Sequence, residues 1–359
     1  MDDVERFVVS TGRSGSTLLS KMLDLNSEVL SLSEFIGAME HFNRFSTEPM
    51  TGPEFSVLLG GGNEIGALIP PDRPIKDVFH EFMPSPDDLK RWGHRSPSPL
   101  FAMALPSLSP DPIALMDDLV EFANAQPARM VADQYRALWR WMGERAGKKC
   151  WVERTGANLR WLPEQRDAFP DARYVLLHRD GPETALSLRD HSWGIIAAEV
   201  FEDPPTTDQV KQALRSRADG TPHPYSHLYD DARPSVERFG RFWSFLIANG
   251  FRGFRHMRPE QLLDVRFEDL TQDPAAQLTR IKEFLELPDD DGWIERAAAL
   301  ITPGRLALRA PELSENEQAS LEKACQIGQI LLERADPFEG REAYVRVREA
   351  TEEFSAGSW

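Results

Sequence analysis

The sequence predicts an α/β protein, a three-layer αβα arrangement around a central parallel sheet. Three observations point there. Short apolar and β-branched runs recur, each followed by a segment with apolar residues at helical spacing. The first such pair is joined by a tight, polar, glycine-bearing turn. Arg13, Glu34, Arg154 and Arg179 each stand at or just past the end of a predicted strand. Ligands of open parallel sheets bind beyond the carboxyl ends of the strands, so these four residues are expected to converge.

Phe7 to Val9 forms the first strand, and Leu18, Leu19, Met22, Leu23 and Leu25 mark the helix after it. Val29 to Leu32 is a second strand, ending at Ser33-Glu34. From Phe35 to about Pro112 the pattern is irregular and proline-rich. Its apolar clusters at Phe35 to Phe45, Val57 to Leu59 and Phe79 to Met83 suggest short helices over the sheet edge. Pro112 to Phe122 and Arg129 to Arg145 are helical. The stripe Tyr135, Leu138, Trp139 and Met142 is read as a core face. Lys149 to Glu153 is a strand with Arg154-Thr155 at its end, and Asn158 to Phe169 a helix capped by Asn158. Arg173 to His178 is the clearest buried strand; Pro182 opens the helix after it. Trp193 to Gly220 reads as a polar loop. Ser235 to Phe254 is a long amphipathic helix, and Leu262 to Phe267 the last strand. Pro274 to Leu285, Trp293 to Ile301 and Ser314 to Glu333 complete the helices.

The whole is read as one domain over 1–340, with insertions covering the site at about 35–112 and 193–233 and a charged tail over 341–359. The formal net charge of −17 argues against nucleic-acid or anionic-membrane partners. A polyanionic ligand would need a local basic cluster. No apolar run approaches the roughly 18 residues that span a bilayer, and the acidic start MDDVER lacks the features of a secretory leader. A cytoplasmic setting is expected, with Cys150 and Cys325 as reduced, partly buried thiols. A homodimer is compatible with the sequence and not required by it. The eight histidines lack metal-ligand spacing, so no metal site is expected.

The turn Ser10 to Thr17 (STGRSGST) precedes a helix, whose N-terminus and loop amides favour an anion. It is not a Walker A loop: Gly12 and Gly15 are too close, and Ser16 stands where Lys would follow. Arg13 carries the charge, and its planar fork suits an anionic oxygen. That fits a phosphosulfate better than a metal-bound triphosphate.

STGRSGSTLL, Ser10 to Leu19, resembles the 5′-phosphosulfate loop of sulfotransferases that use 3′-phosphoadenosine 5′-phosphosulfate (PAPS). The resemblance implies a P-loop-NTPase-like fold, with PAPS held by Arg13, Ser14, Gly15, Ser16, Thr17 and Leu18. YVLLHRDGPETALSL resembles the family's second signature, implying that Arg179 and Ser187 hold the 3′-phosphate. The N-terminal stretch resembles tyrosylprotein sulfotransferases and bacterial relatives. In the former, a Glu at the offset of Glu34 is the general base. His41 is the reserve, since other branches use His. Arg154, in WVERTGAN, matches the Lys of a Lys-Thr-Pro or Lys-Asp-Pro stretch that offsets charge on the bridging oxygen. Here Arg replaces Lys and Gly156 replaces Pro. VRFEDLTQDP to EFLELP resembles the C-terminal strand and helix and is taken as fold, not site. The Arg-Lys-Gly phosphate loop of the animal cytosolic branch is not evident; Arg305, in PGRLALR, is no more than a candidate substitute.

The expected function is thus sulfuryl transfer from PAPS to a hydroxyl, with Glu34 as base, Arg13 and Arg154 on the leaving oxygen, and 3′-phosphoadenosine 5′-phosphate (PAP) as product. The apolar-aromatic insertions favour a small or lipid-like acceptor. The rivals are a P-loop kinase, against which the missing Walker Lys speaks, and a regulatory protein that binds PAP without chemistry.

Overall fold

The computed structural model describes residues 1–39, 43–61, 66, 68–71, 73, 84–94, 97–229, 234–301 and 313–334. His41, Arg305, the cluster Phe79 to Met83 and the tail lie outside them.

Five strands form one sheet: β1 (Arg6–Val9), β2 (Val29–Ser33), β3 (Cys150–Arg154), β4 (Arg173–His178) and β5 (Leu262–Arg266). The order is β2-β3-β1-β4-β5, every pairing is parallel, and β1 lies at the centre. Every strand therefore points its carboxyl end the same way. Alternation along the strands sorts the core into two layers. Phe7, Val9, Leu32, Trp151, Tyr174 and Leu176 face one side, under the helices Val131–Arg145 and Val236–Phe254. Val8, Val29, Val152, Val175 and Leu177 face the other, under Ser16–Asp24 and Pro274–Phe284. This is the expected αβα sandwich.

The stripe Tyr135, Leu138, Trp139 and Met142 is core, as its spacing implied. Trp139 is fully buried, with its ring 4.7 Å from Trp151 and 5.2 Å from Tyr135 between centroids. Cys150 and Cys325 are both free and buried. Burial pushes the Cys150 thiol up to about 11.

Two expectations fail. Trp193 to Gly220 is not a loop but two helices, Ser192–Glu202 and Thr207–Asp219. The second opens on a reciprocal cap between Thr206 and Gln209 and closes on Gly220 in the left-handed region. The polar surface of this segment hid a one-sided apolar face: Ile196, Ala213, Tyr225 and Leu228 pack with Leu68 and Ile69 in a small separate core. Nor does Asn158 cap a helix. Its segment begins as a 3₁₀ turn, Asn158–Trp161, before the helix Leu162–Ala168. The amide instead bridges to β1, accepting from Ser10 N at 2.8 Å and donating to Val8 O at 3.0 Å.

No helix among the described residues is long and apolar enough to cross a membrane.

Candidate active site

At the carboxyl edge of the sheet lies a cavity of about 490 Å³. The β1 loop enters it through Gly12, Arg13, Ser16 and Thr17, the end of β2 through Ser33 and Glu34, and the end of β3 through Arg154 to Ala157. Among the described residues, four non-glycines hold positive φ, and three of them line this cavity: Arg13 (54°), Glu34 (59°) and Ala157 (57°). Left-handed backbone is costly for such residues and concentrates at functional sites.

The loop is shaped by two glycines that both need the left-handed region: Gly12 at φ 75° and Gly15 at φ 89°. A Cβ on Gly15 would stand 2.1 Å from the Phe267 ring. Gly15 is also the N-cap of the helix Ser16–Asp24, and no side chain caps that end. Its first two N–H groups, those of Ser16 and Thr17, have no intrahelical acceptor. The buried Ser14 hydroxyl has no hydrogen-bond partner among the described residues. An uncapped helix end, a bare hydroxyl and Arg13 in one loop fit an anionic group such as a phosphosulfate.

Glu34 and Arg154 meet because β2 and β3 are neighbours in register, Ser33 opposite Arg154. The Glu34 carboxylate forms an ion pair with the Arg154 guanidinium, whose side chain is 3% exposed. The same guanidinium bonds the Ser33 hydroxyl. Gly156 N–H donates to both Glu34 oxygens, at 3.0 and 3.1 Å. A proline at 156 would have no such donor. The departure from the family's Lys-Thr-Pro pattern thus supplies a hydrogen bond to the carboxylate.

Arg179 and Ser187 sit apart from the cavity lining, as do Ser14, Gly15 and Leu18. Leu18 N–H is already used, donating to Gly15 O at 2.9 Å. Arg179 lies 3.6 Å from the Glu183 carboxylate, with its guanidinium carbon 5.5 Å from the centre of the Phe267 ring. Ser187 turns towards the loop: its hydroxyl accepts from Arg13 Nε at 3.2 Å. The two strand-end signatures are therefore linked through Arg13.

From the sequence, Phe267, just past β5, reads as fold alone. It braces both the Gly15 turn and the Arg179 guanidinium. An aromatic at the fifth strand end is the signal that would have placed it at this edge. Glu153 carries no signal of its own beside Arg154, and Gly156, which the sequence shows only as a replacement for proline, gains its role from its N–H.

The family model for the sulfotransferase family matches residues 71–291. The chain belongs to the sulfotransferase family. It is similar to a flavonol 4′-sulfotransferase of Flaveria chlorifolia, 29% identical over 65 residues, which are 18% of this chain. That match spans only 20% of the length of the curated relative. Among solved structures, a sulfotransferase from Mycobacterium avium is similar over 93% of this chain and 78% of its own, at 16% identity and a TM-score of 0.46. The sulfotransferase domain from the curacin biosynthetic pathway covers 99% of each chain at 12% identity and a TM-score of 0.44. A mouse sulfotransferase complexed with PAP covers 100% of this chain and 90% of its own, at 11% identity and a TM-score of 0.35.

Proposed function

We propose that this sulfotransferase takes its sulfuryl group from PAPS and passes it to a hydroxyl of a small or lipid-like acceptor, with Glu34 as general base. The observation that carries the reading is the Glu34–Arg154 ion pair in a cavity that the Gly12–Thr17 loop also lines. The loop amides, Ser14 and Arg13 would hold the phosphosulfate, and Arg179 and Ser187 the 3′-phosphate. Engaging Arg179 would mean sharing it with, or drawing it from, Glu183.

Glu34 would take the proton from the acceptor hydroxyl as its oxygen bonds to sulfur. The electron pair of the breaking S–O bond would leave on the phosphate oxygen. Once protonated, Glu34 no longer holds a charge against Arg154, so the guanidinium is released to meet the negative charge growing on that oxygen. The ion pair thereby ties proton removal to leaving-group stabilisation. Its starting geometry is held by the Gly156 N–H and the left-handed backbone of Glu34.

The acceptor class rests on the apolar part of the cavity lining. Met103 from the first insertion, Trp193 from the second, and Leu188 give it an apolar surface. A cavity of this size and polarity suits a compact apolar alcohol better than a sulfated glycan.

The test is calorimetric titration with PAP, with AMP as the control. Strong preference for PAP, lost in Arg179→Ala, supports the reading and justifies assaying PAPS turnover against alkanols, sterols, phenols and sugars. Equal or absent binding of PAP and AMP sinks it.

A further inference from the structure

The chain spends a buried charge one residue before Arg154, where an apolar side chain would fill a strand at no electrostatic cost. Glu153 is fully buried on β3. Its Oε1 accepts from Ile36 N–H at 3.1 Å and from the Thr155 hydroxyl at 2.6 Å. The Thr155 oxygen in turn accepts from Gly37 N–H at 3.1 Å. Two successive amides of the turn after Glu34 are thus tied to one side chain of β3, Glu153, and to one just past its end, Thr155. The other carboxyl oxygen, Oε2, is buried with no hydrogen-bond partner among the described residues. A buried oxygen left bare is destabilising, so packing alone gives no reason for a glutamate here.

The tied segment carries Glu34. Its left-handed residue is followed, after Phe35, by the 3₁₀ turn Ile36–Ala38. At Gly37 the backbone is squeezed between two site groups: a Cβ there would lie 2.7 Å from Thr155 Cγ2 and 3.1 Å from Glu34 Oε2. A shift of this turn would therefore move the Glu34 carboxylate.

We propose that Glu153 is a positioning residue for Glu34, fixing the turn on which it stands and coupled through the interior to the Glu34–Arg154 pair. The catalytic meaning rests on Glu34 being the base; the coupling itself does not. Burial pushes the Glu153 carboxyl up to about 7, against the pull of the Thr155 and Ile36 hydrogen bonds. Of the charged groups facing it, Glu34, from the segment after β2, raises it, and Arg154, on its own strand, lowers it. Below that pH Glu153 is neutral. Above it, a second negative charge lies behind the ion pair.

The experiment is an NMR pH titration of the full chain without donor or acceptor, following the Ile36, Gly37 and Gly156 amides. Gly156 is the decisive reporter, because its N–H touches Glu34 and not Glu153. In the wild type, Ile36 and Gly156 should move together with a midpoint near 7. Glu153→Gln keeps an acceptor at Oε1 and should abolish that midpoint in both. Thr155→Val removes a bond that lowers the carboxyl, so the midpoint should rise. A Gly156 shift that survives Glu153→Gln overturns the proposal, as does a silent Gly156 beside a titrating Ile36. If Glu153→Gln does not fold, Thr155→Val decides: an unmoved midpoint overturns the proposal and a raised one supports it. Failure of the PAPS reading would show as lost PAP binding and would leave this coupling measurable.

Discussion

Glu34 sits where four separate constraints agree. Its backbone is left-handed at φ 59°, its N–H donates to Arg154 O at 2.6 Å, its carboxylate is paired with Arg154, and Gly156 holds both oxygens. Glu34→Gln should lower kcat by roughly 10²- to 10⁴-fold while leaving PAP affinity within about threefold. Steady-state kinetics with the acceptor found in the screen, beside PAP calorimetry, would check both. Gly156→Pro makes the chain look more like its relatives yet deletes the donor to Glu34. A hydrogen bond to a charged group contributes about 1.5–3 kcal/mol, so kcat should fall about 10- to 100-fold. Gly156→Ala keeps the N–H and should lose less, although its Cβ would stand 3.1 Å from Glu34 Oε1. A proline variant as active as the wild type would show that this hydrogen bond does not serve the reaction.

The turn between β1 and the helix Ser16–Asp24 depends on contacts from far along the chain. Phe267 blocks any side chain at 15, and Asn158 clamps Ser10 N and Val8 O. Gly15→Ala combines an unfavourable φ with a clash against an aromatic ring. It should weaken PAP binding at least about tenfold, a loss of some 1.4 kcal/mol, in the same calorimetric titration. On the opposite face of the sheet, the helix Val131–Arg145 is anchored by Trp139, which contacts Phe7, Phe35, Tyr135, Trp151 and Phe169. Trp139→Ala should cost about 3–5 kcal/mol of stability, seen as a lower urea midpoint with an unchanged slope. The segments around 68–69 and 196–228 behave differently. Leu68 and Ile69 pack with Ile196, Ala213, Tyr225 and Leu228, so segments far apart in the chain share a small core beside the main one.

For the molecule as a whole, the buried Glu153 carboxyl makes stability depend on pH in a direction opposite to an ordinary surface acid. Its folded-state value, about 7, lies above the 4.5 expected of an exposed glutamate. The folded state therefore binds the proton more tightly than the unfolded chain. The resulting stability is full below about pH 4.5 and is lost as pH rises to 7 and beyond. A shift of this size corresponds to about 3 kcal/mol. Glu153→Gln should flatten the pH dependence of the thermal midpoint between pH 5 and pH 8, whereas an equally steep dependence in the variant would exclude this group as its source.

What could be read from the residues alone was local. Strand and helix spacing gave the parallel αβα sandwich, because alternation and the 3.6-residue period are properties of neighbours in the chain. The segment Phe7 to Val9, the turn with Gly12 and Gly15, and the helix behind it carried their own signals, and so did the charges at four strand ends. The helices over Trp193 to Gly220 were hidden because their apolar face meets Leu68 and Ile69, a partner more than a hundred residues away. The strand order was equally invisible, and it alone sets Glu34 beside Arg154 and Arg13 beside Ser187. Phe267 against Gly15, Gly156 against Glu34, and Glu153 beneath the turn at Ile36 are contacts between segments distant in sequence. The chain encoded which groups stand at the strand ends. Only their packing across the sheet decided which of them touch.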